Sequence, residues 1–250
     1  MRSLTLTALE GVPEIRAGDE LATIIVEGLE RSGLALADGD VLVLAQKIVS
    51  KSEGRAVALA GVTPSPRALE LAAVTGRDAR VLELVLAESS GIIRCKKDVI
   101  VVEHRLGYVM ANAGIDMSNV EGGGETVLLL PLDPDASCAR LRAELRERAD
   151  IGVIINDSFG RAWRNGVAGV ALGVAGLPGV VDMRGRPDRF GRPLQVTQIG
   201  FADELAAAAS LLMGQADEGY PVIHARGVPY ARRDGNGREL LRPKHMDLFR

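Results

Sequence analysis

The sequence predicts one compact unit that mixes helices and strands. Three observations carry this expectation. Short β-branched apolar runs, Val41 to Ala45 and Ile151 to Ile155 above all, have the length and composition of buried strands. Other stretches repeat apolar residues at three- and four-residue spacing, as Leu21, Ile24, Ile25 and Leu29 do, which puts them on one face of a helix. The two kinds of segment interleave along the chain, with no internal repeat and no low-complexity tail. At 250 residues and 26.5 kDa the chain can bury a large core, as one domain or two close lobes.

Composition narrows the function classes. Hydrophobic residues make up 47% and charged residues 25%, and the net charge of -3 gives no broad attraction to nucleic acid. Phe, Trp and Tyr together are only 3%, so the core must be built from Leu, Val, Ile and Ala. The 2 cysteines, Cys95 and Cys138, form no CxxC, and with 3 histidines in the chain they suggest small buried residues, not a disulfide framework or a zinc site. Glu10 and Glu14 stand where a secretion signal would be apolar, and no segment reaches the roughly 18 apolar residues of a membrane span. The expectation is a cytoplasmic enzyme or binding protein, with no membrane partner.

The elements follow in order. Leu4 to Leu9 alternates as a strand does, and Gly11-Val12-Pro13-Glu14-Ile15 leaves it as a constrained loop. Asp19 opens a helix that runs to about Arg31. After the Asp38-Gly39-Asp40 turn, the strand Val41 to Ala45 delivers Gln46, Lys47, Ser50 and Lys51. Two lysines four residues apart just past a strand can both face a phosphate, or can simply be solvated. Pro64-Ser65-Pro66 starts one helix and Asp78 another, the latter with Val81, Leu82, Val85 and Leu86 at helical spacing; neither carries chemistry. Val99 to Glu103 and Tyr108 to Ala111 form a hairpin around His104, which reads as an exposed polar turn residue.

The second arm of that hairpin enters Asn112-Ala113-Gly114-Ile115-Asp116-Met117-Ser118-Asn119, then Val120-Glu121 and the triplet Gly122 to Gly124. An acid three residues before an Asn, with a glycine-rich loop behind, is a candidate for cation and nucleotide contacts. Val127 to Leu130 is a strand, and Asp133-Pro134-Asp135 caps a helix to about Ala149. The richest stretch is Ile151 to Gly169. Its strand empties into Asn156-Asp157-Ser158 and then into a loop bearing Arg161, Arg164 and glycines. A carboxylate and hydroxyl at a strand end, followed by guanidinium groups, suit a Mg²⁺- or Mn²⁺-bound phosphate; a capped turn with solvated arginines is the plain alternative. Val167 to Val174 is small and apolar. Asp182 to Arg192 is an arginine-rich polar loop that is either solvated or holds an acidic ligand. A strand at Gln195 to Ile199 precedes a helix from Ala202 to Met213, with Asp203 and Glu204 at its start and Gly214 as C-cap. Gln215-Ala216-Asp217-Glu218-Gly219-Tyr220 then forms a polar turn before a last strand, Pro221 to Ala225.

Taken together, KIVSKSEGR, NAGIDMSN, NDSFGRAWRNG and RPDRFGRPLQVTQIGFADELAAAASLLMG stand in the order and spacing of the coenzyme F420-0:L-glutamate ligase family. The chain resembles that family over nearly its whole length, and ELLRPKHMDLF resembles the close of the ligase domain in bacterial versions. The resemblance implies an α+β fold of family-specific mixed sheets with flanking helices, in an intertwined homodimer. It implies a GTP-dependent ligase that adds L-glutamate to the deazaflavin precursor F420-0, with further γ-linked glutamates as an extension. Two divalent cations, Mn²⁺ or Mg²⁺, and K⁺ are implied too. A separate or fused flavin-reductase-like domain is a further implied partner.

Carried onto matching positions, the metal ligands are Asp116, Asp157 and Gln215. GTP is held by Val12, Pro13, Glu14 and Ile15, by Gln46, Lys47, Lys51, Asn119 and Ser158, and by the turn Met213, Gly214, Gln215, Ala216, Asp217, Glu218, Gly219 and Tyr220. Lys51, Arg161 and Arg164 join the two aspartates as catalytic residues, and Asp203 or Glu204 is a guess for a general base. Three departures stand out. Asn156-Asp157-Ser158 replaces a Thr-Asp-Thr common in the family, Gln46-Lys47 stands where Ser followed by Thr or Lys is familiar, and the neutral Gln215 takes a place where Glu also occurs. The implied chemistry is activation of a carboxylate as an acyl phosphate, displaced by the glutamate amine. A non-catalytic deazaflavin or GTP carrier and a metal-dependent phosphohydrolase are the competing readings.

Overall fold

The computed structural model describes residues 2–119, 122 and 124–247. Part of the glycine-rich loop (Val120, Glu121 and Gly123) and the end of the ELLRPKHMDLF motif lie outside the described residues. In chain order the elements are β1 (Thr5–Ala8), α1 (Leu21–Arg31), β2 (Val41–Ala45), α2 (Gln46–Ser52), β3 (Ala56–Ala58), α3 (Pro66–Thr75), α4 (Ala79–Ala87), β4 (Ser89–Lys96), β5 (Val99–His104), β6 (Val109–Ala111), β7 (Thr126–Leu128), α5 (Pro134–Leu145), β8 (Gly152–Arg161), β9 (Arg164–Ala175), β10 (Val181–Asp182), β11 (Gln198–Ile199), α6 (Phe201–Met213) and β12 (Val222–Arg226).

The main sheet has the order β1-β12-β2-β8-β9. Only β2 and β8 are parallel; the other neighbours run antiparallel. Alternation along these strands decides what covers each face. Leu42, Leu44, Val153 and Ile155 join Ile25 and Leu29 of α1 with Cys138, Leu141 and Leu145 of α5 in one buried cluster. Val41, Val43 and Ile154 join Leu205, Ala206 and Ala209 of α6 in another. A third cluster packs Leu71 of α3 and Leu82 and Val85 of α4 against Ile100 and Val102 of β5 and Val127 of β7. The mixture of helices and several sheets is as expected; the main sheet carries helices on both faces.

The helix ends follow their local chemistry. Asp133 accepts the Ala136 N–H at 3.1 Å in front of Pro134, and Ser65 accepts that of Ala68 at 3.3 Å in front of Pro66. Both breaks were visible in the sequence.

Three expectations are corrected. The loop after Ile155 is instead the outer half of a long hairpin, because β8 continues through Asn156, Asp157 and Ser158 to Arg161 and pairs with β9 across a tight turn at Trp163. Lys47 and Lys51 do lie just past a strand, on the helix α2 that follows β2 directly. Cys95 is only partly buried, on β4, a strand that periodicity did not reveal. His104 is fully buried: its Nδ1 accepts the Leu106 N–H at 3.0 Å and its Nε2 lies 3.4 Å from Oε2 of Glu88. A polar residue at a turn is ordinarily solvated, but here an acid at the end of α4 pairs with it inside. No helix of the described residues is long and apolar enough to cross a membrane.

Candidate active site

The carboxyl ends of the two parallel strands lie side by side, with Ala45 level with Asn156. Ligand groups commonly gather where such strands end. Here the chain past Ala45 turns at once into α2, bringing Gln46, Lys47 and Lys51 beside residues more than a hundred positions later.

On the other side of β8 the pairing slips. Ile155 faces Gly173 but Asn156 faces Ala171, which leaves Leu172 as an extra residue. Such a bulge bends a strand and re-aims the side chains beyond it. The carbonyl oxygen of Leu172 accepts the hydroxyl of Tyr108. On β8 itself the alternation is unbroken: Ile154 already packs against α6, and Asn156 and Ser158 follow on that side, with Asn156 Nδ2 3.2 Å from Ser210 Oγ and Ser158 Oγ donating to Gln215 Oε1 at 2.9 Å. Asp157 takes the opposite side of the strand, toward α2 and Asp116.

Asp116 arrives through a left-handed turn. Asn112, Ala113 and Gly114 have φ of 53°, 54° and 70°. For the two non-glycine residues this costs about 1 to 2 kcal/mol each, strain of the kind that collects at functional sites. At Gly114 a Cβ would lie 2.8 Å from Leu130, so only glycine fits there. Asp116 is then pinned by reciprocal backbone hydrogen bonds with Leu128, at 3.0 and 2.8 Å. Its Oδ1 accepts the N–H and the hydroxyl of Ser118, at 2.7 and 2.8 Å, and its Oδ2 lies 2.8 Å from Nζ of Lys47.

The two carboxylates differ electrostatically. Burial pushes Asp157 up to about 7, helped by the negative charge of Asp116 and opposed by the Ser158 N–H and by Lys47. Burial acts on Asp116 as well, but Lys47 and Ser118 outweigh it and hold that carboxyl below its ordinary value. Two acids close enough to repel each other favour a cation between them. Among the described residues no three acidic, histidine or cysteine side chains gather around one point. A third donor would thus be a neutral oxygen, of which Gln215, bordering the same cleft, carries one. An oxygen-only donor set fits a hard cation such as Mg²⁺ or Mn²⁺.

These groups line a single cleft of about 550 Å³, within the range of small-molecule sites. Of the residues singled out in the sequence, Val12 to Ile15, Gln46, Lys47, Lys51, Asp116, Asn119, Asp157, Ser158, Met213 to Asp217, Gly219 and Tyr220 all border it. Lys51 pairs with Glu14, and Asn119 Nδ2 donates to the Ala216 carbonyl at 3.1 Å, tying the 116–119 segment to the turn after α6. Glu218 does not border the cleft; its Oε2 accepts the Ala216 N–H at 2.8 Å and shapes the turn from behind.

Arg161 and Arg164 are not brought to the cleft within one chain. They face each other at the exposed tip of the β8–β9 hairpin, beside Trp163, which is 87% exposed. Asp203 is occupied elsewhere, accepting the Ala171 N–H at 2.9 Å. In the arginine-rich loop Arg184 pairs with Asp182, and Asp188 accepts the N–H groups of Phe190 and Arg192. Ser118 was not singled out, although its place two residues after an aspartate, where a hydroxyl can reach back to the carboxylate, is a local signal for it.

Comparison with known proteins gives one consistent answer. Residues 11–227 match the family model described as F420-0:Gamma-glutamyl ligase. The chain is 48% identical to the coenzyme F420:L-glutamate ligase of Methanothermobacter thermautotrophicus over 99% of both chains. It is 44% identical to the Methanopyrus kandleri protein of the same name over 100% of both, and 44% identical to that of Halobacterium salinarum over 97% of this chain and 94% of the relative.

Proposed function

Because the chain belongs to the F420-0:gamma-glutamyl ligase family, we propose that it joins L-glutamate to F420-0 through an amide bond, with GTP as co-substrate. The terminal carboxylate of F420-0 attacks the γ-phosphorus of GTP, GDP leaves, and an acyl phosphate forms. The glutamate amine then displaces inorganic phosphate, losing a proton as the amide bond closes. No protein nucleophile is needed.

The observation that supports this reading best is convergence: five stretches far apart in sequence border one cleft, and within it the charge of Asp116 is felt by Asp157. In the proposed complex the loop Val12 to Ile15, Asn119 and the turn Met213 to Tyr220 enclose the nucleotide. Lys47 and Lys51 meet its phosphates. Asp116, Asp157 and Gln215 would hold two divalent cations, with K⁺ as a further ion. When bound, the cations neutralise charge as it shifts from the γ-phosphate onto the departing GDP. Arg161 and Arg164 act in this scheme only if a second copy brings the hairpin tip to a site, which an intertwined homodimer would do.

The test is to incubate the protein with GTP, Mn²⁺, F420-0 and L-glutamate and follow the deazaflavin by mass. A gain of one glutamyl residue with stoichiometric release of GDP and phosphate is expected. Phosphate release without glutamate would mean a phosphohydrolase, and binding with no bond formed would mean a carrier.

A further inference from the structure

We propose that Lys47 is a built-in counter-ion for Asp116: its ammonium takes a cation's place on that carboxylate in the metal-free protein and passes to the nucleotide phosphates when a divalent cation arrives. This rests on the reading that Asp116 and Asp157 are cation ligands. Both oxygens of Asp116 are engaged by protein groups, Oδ1 by Ser118 and Oδ2 by Lys47 at 2.8 Å. Nζ of Lys47 is also 2.9 Å from Ser118 Oγ, so the ammonium sits in a small oxygen nest of the sort a hard cation occupies.

The two lysines of α2 are not equivalent in this respect. Lys51, one turn further on, is paired with Glu14 of the 12–15 loop, whereas Lys47 alone reaches the carboxylates. The Lys47–Asp116 pair is also built to part. Its side chains are 27% and 31% exposed, so neither charge is stranded in a dry interior when the other leaves. A divalent cation balances Asp116 and Asp157 by itself and leaves the lysine's charge in surplus at the mouth of the cleft. The oxygens of a triphosphate are the natural acceptor for it. Lys47 thereby weakens binding of the cation alone and strengthens binding of the nucleotide that follows, which couples the two events in the favourable direction.

Mn²⁺ binding to the full-length protein, read from the electron paramagnetic resonance of free Mn²⁺ with no nucleotide or substrate present, separates the possibilities. Lys47→Met is expected to bind Mn²⁺ roughly tenfold tighter than wild type, within the usual range of such couplings. Lys47→Arg, which keeps the charge, is expected to stay at the wild-type affinity. With Mn²⁺ saturating, Lys47→Met should bind a fluorescent GTP analogue more weakly. Equal or weaker Mn²⁺ binding by Lys47→Met overturns the proposal, as does tighter binding by both variants, which would point to space and not to charge. Asp116→Asn distinguishes this failure from a deeper one. If it binds Mn²⁺ as wild type does, the cation assignment itself is wrong and the counter-ion falls with it; if it loses Mn²⁺, that assignment stands whatever Lys47 does.

Discussion

The hydroxyl of Tyr108 donates to the carbonyl oxygen of Leu172, 64 residues further on. That carbonyl belongs to the extra residue of the bulge that precedes Asn156 and Asp157 on the opposite strand. Tyr108 is buried, so Tyr108→Phe leaves a buried acceptor without its partner, at a cost of about 1 to 3 kcal/mol. The expected outcome is a Tm lower by several degrees. Glutamyl transfer at 25 °C should fall further than folding alone explains, by about tenfold, because a slightly misplaced Asp157 is costly. Thermal melting and a mass-based product assay on the same preparation separate the two effects.

Gly214 carries φ 74° and ψ -176°, a conformation essentially restricted to glycine, and a Cβ there would lie 2.1 Å from the carboxyl carbon of Glu218. Gly214→Ala is expected to cost about 1 to 3 kcal/mol locally and to displace the turn that carries Gln215 and Ala216. Nucleotide affinity, followed by fluorescence of a labelled GTP analogue, should drop while α6 stays folded by circular dichroism. Unchanged affinity would remove the turn from the nucleotide site.

Glu88 ties two guanidinium groups and an imidazole together: Arg55 and Arg105 at 3.0 Å each and Nε2 of His104 at 3.4 Å. Burial raises its pKa, but these partners outweigh burial and bring it from the ordinary 4.5 down to about 2. The unfolded chain therefore takes up a proton at a higher pH than the folded one. The stabilisation is fully present above about 4.5 and is lost as pH falls from there through about 2; it amounts to about 3 kcal/mol. Urea unfolding across this window should show a steep acid limb in wild type and a flatter one in Glu88→Gln, which is also the less stable protein at pH 7. Parallel curves would contradict the assignment.

Much of the site was legible because its parts are local. A β-branched run ending in Asn156-Asp157-Ser158, two lysines past a strand and a polar turn behind Gly214 each betray themselves within a few residues. What periodicity could not supply was the pairing. Asn156 to Arg161 looks like a loop because polar residues and glycine fill it, yet it is strand: β9, a partner supplied by later sequence, satisfies its backbone. His104 reads as solvated for the same reason, since Glu88, which faces it, lies at the end of a different element. Likewise, Arg161 and Arg164 follow the aspartate closely in sequence, but an extended hairpin carries them away from it. Order along the chain does not report distance when a strand intervenes.

In the proposed reaction Asp157 grips a cation on which the triphosphate depends. Asp157→Ala removes a half-buried carboxylate whose charged form burial disfavours, so in metal-free buffer its Tm should equal or exceed that of wild type. The decisive measurement is glutamylation of F420-0 by this variant, assayed by mass with saturating Mn²⁺ and GTP. A folded Asp157→Ala protein that yields no glutamylated product is the expected result; product formed at the wild-type rate would contradict it.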